Sequence, residues 1–146
     1  MKLQMKISRA FETDLTNVLS EAIKTRPEPS VLKMLEKNQD KIATAAPVWH
    51  ELQFGTQKLP PSRKKEIITS FLEDIVRATI PILAYDERAA EWHAKERARL
   101  FAMGQPPPFV DGQIAAIAVV NDLTLVTRNL GDFLKFSDLR LESWHK

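Results

Sequence analysis

The stretch DGQIAAIAVVNDLTLVT, residues 111–127, decides the fold. Asp111 to Asn121 is apolar and rich in small side chains, long enough for a buried helix. Asn121-Asp122 interrupts it, and Leu123 to Thr127 (LTLVT) then reads as a short buried strand. A helix that feeds directly into such a strand is the repeating unit of an α/β domain.

The same alternation extends outward in both directions. Downstream, Leu139 to Leu141 has the character of one more short strand. Upstream, Pro106-Pro107-Pro108 forms a loop, and the charged segment Glu87 to Met103 has helical spacing. Ile80 to Ala84 (IPILA) reads as a strand. Ser62 is placed to cap a long helix through Ala78, with Ile67, Ile68, Phe71, Leu72 and Ile75 on its apolar stripe. Ile42 to Ala46 (IATAA) predicts a buried strand, and Pro47 suits the first turn of the helix after it. Near the start, Met1, Leu3, Met5 and Ile7 alternate with polar residues, as in a half-buried strand or a loose terminus. Asn17 to Thr25 has helical spacing, and Ser30 can cap a further helix. Together these elements predict a three-layer α/β/α fold with a central, mainly parallel sheet flanked by helices.

The bulk numbers fit one domain over residues 1–146, with 1–13 either inside it or an irregular N-terminal extension. The chain has no cysteine, which removes disulfides and thiolate metal sites from consideration. Its net charge of +2 neither demands nor forbids a nucleic-acid partner. No apolar run approaches the roughly 20 residues that span a bilayer. The N-terminus also lacks the apolar core of a signal peptide. A cytoplasmic protein with no membrane partner is the expectation. The chain contains no GxxxxGK[ST] loop. Nor does it show a Ser-His-Asp or Cys-His signature for covalent catalysis.

In parallel sheets, sites form at the carboxyl ends of strands near the topological switch point. That edge gathers carboxylates from distant parts of the chain. Glu51 lies just past the IATAA strand, Asp111 opens the apolar helix, Asn129 and Asp132 follow LTLVT, and Asp14 follows the first predicted strand. Each has a plain structural alternative: a helix N-cap for Asp111, a solvated helix position for Glu51, a turn for Asp132. Clustered carboxylates repel one another until a cation offsets them. A hard divalent ion takes such oxygens together with water, and can activate water against a phosphodiester.

Four pieces carry a resemblance: TNVLSE at 16–21, HELQFG at 50–55, DGQIAAIA at 111–118 and LVTRNLGDF at 125–133. In this order the chain resembles the PIN-domain family, specifically its VapC-type toxins. The resemblance implies a Mg²⁺- or Mn²⁺-dependent endoribonuclease, a cognate antitoxin and a homodimer. It places Glu51 and Asp111 at the second and third acidic positions, and Asn129 at the fourth with Asp132 beside it. Thr16 and Asn17 match the polar pair supporting the first acid, and Thr127 a hydroxyl near the fourth. Arg128 is the candidate RNA contact.

The departure lies at the first acid. The family carries it immediately before Thr-Asn, where this chain has Leu15. Asp14 is one position early, and a one-residue shift along a strand turns a side chain to the opposite face. Either Asp14 completes the metal site, or the chain is a PIN scaffold with impaired cleavage that binds RNA or antitoxin. An unrelated carboxylate-based α/β phosphotransfer or hydrolase domain is a further alternative. Among the remaining features, Arg63-Lys64-Lys65 reads as a solvated helix face or a phosphate contact. His50 reads as a structural histidine or a base, and His93 has no ligand-like spacing.

Overall fold

The computed structural model describes residues 6–8, 42–127 and 129–143. Among the described residues, five strands form one sheet: β1 (Lys6–Ser8), β2 (Ile42–Ala45), β3 (Ile82–Leu83), β4 (Thr124–Val126) and β5 (Arg140–Glu142). Their order is β3-β2-β1-β4-β5, and every neighbouring pair is parallel. Lys6–Ser8 is therefore the central strand of the sheet. Ser8 is in register with Val126, so the carboxyl ends of β1 and β4 meet where the strand order turns. That is the position at which open parallel sheets place their sites.

Among the described residues the helices are α1 (Ala46–Gln57), α2 (Arg63–Phe71), a π-helical stretch Leu72–Val76, α3 (Arg77–Thr79), α4 (Glu87–Ala102), α5 (Phe109–Val120) and α6 (Leu130–Phe133). Ser62 caps α2 as expected, its Oγ accepting from Lys65 N at 3.2 Å. The predicted long helix does run to Thr79, but its middle widens to π geometry at Leu72–Val76, which no residue type there signals.

Most element bounds fall within a few residues of the reading above, and the differences have physical causes. IPILA shrinks to Ile82–Leu83 because Ile80 N still closes the preceding helix on Val76 O at 2.8 Å. Pro81 has no N–H to give, although its carbonyl accepts from Thr44 N at 2.9 Å. LTLVT loses Leu123, whose N–H bonds back to Ala118 O at 2.8 Å as the helix ends. The apolar helix starts early, at Phe109. Pro108 sits at its N-cap in an extended conformation, so Asp111 lies in the first turn and is not the cap.

The core sits between the sheet and the helices. It includes Val48, Leu52, Leu72, Val76, Leu100, Ile114, Ile117, Leu125 and Phe133. Helix α5 is buried nearly all round: Ile114, Ala115, Ala116, Ile117 and Ala118 are fully covered. It packs on α4 and also meets α1, β4 and α6. Its alanines allow that close approach, and a helix enclosed in this way is fixed on several sides at once.

Candidate functional site

Glu51 is carried by α1, the helix that leaves the carboxyl end of β2. It is half-buried and lines a cleft of about 360 Å³ with Pro47, His50, Tyr85, Val110 and Gln113. Val110 and Gln113 flank Asp111 in α5, so Glu51 and the start of α5 face the same opening. Asp111 is buried in the first turn of α5. There the helix dipole favours a negative charge, which offsets part of the desolvation cost of a buried carboxylate.

Thr127 follows β4 and is buried. Its N–H extends the ladder to Glu142 O at 3.0 Å. Its Oγ1 accepts from Asn129 N at 3.1 Å, fixing the turn into α6. Asn129 and Asp132 are both exposed, with Asp132 in the first turn of α6. Among the described residues, no three His, Asp or Glu side chains come together closely enough to hold a metal ion. Glu51, Asp111 and Asp132 thus do not form such a group by themselves. Asp14, Leu15, Thr16, Asn17 and Arg128 lie outside the described residues.

Two of the basic and histidine readings are resolved by contacts. Lys65 donates from Nζ to Gln57 O at 3.0 Å and Leu59 O at 3.1 Å, so it ties down the loop before α2. His50 is exposed on the wall of the cleft. His93, which spacing alone did not mark, supports the site from behind. It is buried, and its Nδ1 lies 2.8 Å from Tyr85 Oη. The other side of the ring rests on Gly112: a Cβ added there would stand 2.6 Å from His93 Cδ2. Phe109 lies 4.9 Å away, centroid to centroid. Burial, helped by the nearby positive charge of Arg97, lowers the His93 pKa and favours the neutral ring. Burial likewise raises the Tyr85 pKa, against the opposing influence of Arg97.

The sequence did hold a signal for this arrangement. A glycine inside a helix costs about 1 kcal/mol relative to alanine, so Gly112 marks a close approach. The residue that approaches is not readable from spacing. Farther along α4, Glu96 is buried and accepts from Arg99 Nη2, Ser137 N and Ser137 Oγ, each at 2.6 Å. The Arg99 hydrogen bond, with those from Ser137, holds its pKa down to about 2 against the cost of burial. This group anchors the loop after α6 to α4.

Residues 16–139 match the family model of the PIN domain. The chain is 33% identical over 133 residues to Ribonuclease VapC2 of Rickettsia felis, covering 90% of this chain and 96% of that one. It is 32% identical over 130 residues to the tRNA(fMet)-specific endonuclease VapC of Shigella flexneri, covering 88% and 94%. Among solved structures it is similar to a chain of the Rickettsia felis VapBC2 complex bound to a DNA fragment from their promoter. The TM-score is 0.72 at 30% identity, over 89% of this chain and 96% of that one.

Proposed function

Because the chain belongs to the PIN-domain family, we propose that it is a VapC-type toxin, an endoribonuclease that uses Mg²⁺ or Mn²⁺ and is held in check by a cognate antitoxin. The observation that carries this reading is the meeting of Glu51 and the start of α5 at one cleft on the carboxyl edge of the sheet. The ribonuclease names of the relatives support the reaction class.

The donor chemistry fits the metal. Mg²⁺ is commonly held by one or two carboxylates with water filling the remaining positions. Glu51 and Asp111 are the proposed principal ligands, direct or through water. Asp14 is the proposed first acid, supported by Thr16 and Asn17, and Asp132 a more distant carboxylate. When bound, the cation activates water and offsets charge on the phosphate. The chain's residues do the rest. The carboxylates bind and orient, Thr127 fixes the Asn129 backbone beside β4, and Arg128 contacts the RNA backbone. Water attacks phosphorus as the P–O bond to the leaving nucleotide breaks, with no covalent intermediate on the protein.

The antitoxin reading is supported by the kinship with the Rickettsia felis complex. Ile67 and Phe71 line a groove along α2 with Arg63, Glu66 and Asp74, an apolar surface with charged edges open to partner contact. A homodimer completes the proposed assembly. No helix of the described residues is long and apolar enough to cross a membrane.

The experiment is cleavage of an RNA pool in Mn²⁺ by the chain, Glu51→Gln and Asp111→Asn, with a chelator control. Cutting by the chain alone, abolished by chelator and by either substitution, is the expected result. Folded protein that leaves the pool intact, or variants that cut as fast as the parent, would overturn the proposal.

A further inference from the structure

The cleft beside Glu51 has more in it than phosphate chemistry requires. Its volume of about 360 Å³ lies near the lower end of the ~300–1,000 Å³ usual for small-molecule sites. Pro47 and Val110 give it apolar walls, His50 and Tyr85 give it rings, and Gln113 brings a carboxamide. Gln113 is half-buried, and its side chain makes no hydrogen bond to the described residues. An apolar and aromatic slot with one convergent amide is the composition that recognises an unpaired nucleobase. Rings offer a stacking surface, and an amide reads donors and acceptors on the base edge.

The wall is also braced. Tyr85 is held by His93 Nδ1 at 2.8 Å, while the buried His93 Nε2 has no hydrogen-bond partner among the described residues. An orphaned buried acceptor is tolerated better than an orphaned N–H. That favours the tautomer in which Nδ1–H donates to Tyr85 Oη. His93 in turn rests on Gly112, next to Gln113 in α5, so the two sides of the cleft are positioned by one contact.

We propose that this cleft is a subsite for one unpaired nucleobase of the RNA beside the cut, with Gln113 selecting the base by hydrogen bonds to its edge. The proposal rests on the ribonuclease reading for the identity of its ligand, but its test does not rely on cleavage. The full chain is titrated with each of the four nucleoside 5′-monophosphates while the Gln113 side-chain amide is followed by NMR. The expected result is saturable binding that favours one base or one pair of bases and shifts the Gln113 amide. Gln113→Leu then weakens the favoured nucleotide about tenfold, the worth of one hydrogen bond. Gln113→Glu keeps the length but replaces donors with acceptors, so preference moves toward bases that present an amino donor, guanine, adenine or cytosine, and away from uracil. A thermal melt of each variant separates lost binding from lost folding.

Equal binding of all four nucleotides, no binding at all, or folded variants indistinguishable from the parent would overturn the subsite. The two readings fail separately. Selective binding without RNA cleavage sustains the subsite and sinks the ribonuclease. Metal-dependent cleavage with no base selectivity at Gln113 does the reverse.

Discussion

Tyr85 Oη and His93 Nδ1 lie 2.8 Å apart, and the His93 ring rests on Gly112 beside Asp111. This chain of contacts links the wall of the cleft to the helix turn that carries a proposed metal ligand. It makes Gly112 a test of the packing. In an unconstrained helix, Gly→Ala is stabilising by about 1 kcal/mol. Here the added methyl meets the imidazole, so Gly112→Ala is expected to destabilise by about 1–3 kcal/mol, as overpacking does. Urea denaturation measures it, and a stabilised variant would show that His93 does not press on α5.

Glu96 gives an acid limb to the stability curve. Its pKa is about 2 in the fold against an ordinary 4.5. A carboxyl held lower in the folded chain than in the unfolded chain contributes stability that is fully present above pH 4.5. That contribution is lost as pH falls toward 2. Glu96→Gln should cost about 2–3 kcal/mol at neutral pH. It should also flatten the fall in stability between about pH 5 and about pH 3. Denaturation of parent and variant at those two pH values is the check, and parallel slopes would count against the assignment.

Asp122 lies in the turn after α5 with a left-handed φ of 56°. Its carbonyl and Oδ1 both accept from Arg140 Nη2, at 2.8 and 3.1 Å. Two variants separate backbone from charge. Asp122→Gly relieves the backbone but loses the contacts of the carboxylate, among them an exposed ion pair worth about 0–1 kcal/mol, so it should cost less than a substitution that keeps the strain. Asp122→Val combines the same loss with a left-handed β-branched residue and should cost at least about 1–2 kcal/mol more. Equal melting temperatures for the two variants would contradict this account of the turn.

The N-terminal acid is tested by activity. If Asp14 supplies the missing carboxylate, Asp14→Ala should lower RNA cleavage about 100-fold or more, the scale on which loss of a transition-state charge contact is felt. Leu15→Asp should then add little to the parent. Cleavage by Leu15→Asp alone would show that the acid is needed one position later and that Asp14 does not replace it.

Much of this fold was legible because its helices and strands are written in different periods. IATAA, LTLVT and the segments between them fell close to β2, β4 and the surrounding helices. Boundaries moved where a single backbone group decided them: Ile80 N closing a helix, Leu123 N closing another, Pro108 starting α5. The π stretch at Leu72–Val76 carries no residue signal, since it depends on how the helix meets its neighbours. At the candidate site, the positions of Glu51 beside the cleft and of Asp111 in the first turn of α5 were readable from the sequence. Tyr85, His93 and Gln113 were not, because their importance lies in contacts between α4, α5 and the cleft. No local spacing encodes those contacts.

The most direct test of the central claim is calorimetric titration of Mn²⁺ into the chain and into Asp111→Asn, with a melt to confirm that the variant is folded. The account predicts saturable binding to the parent, weakened about 10–100-fold in Asp111→Asn. Equal binding to both proteins, or no saturable binding to the parent, would contradict a metal centre built on Asp111.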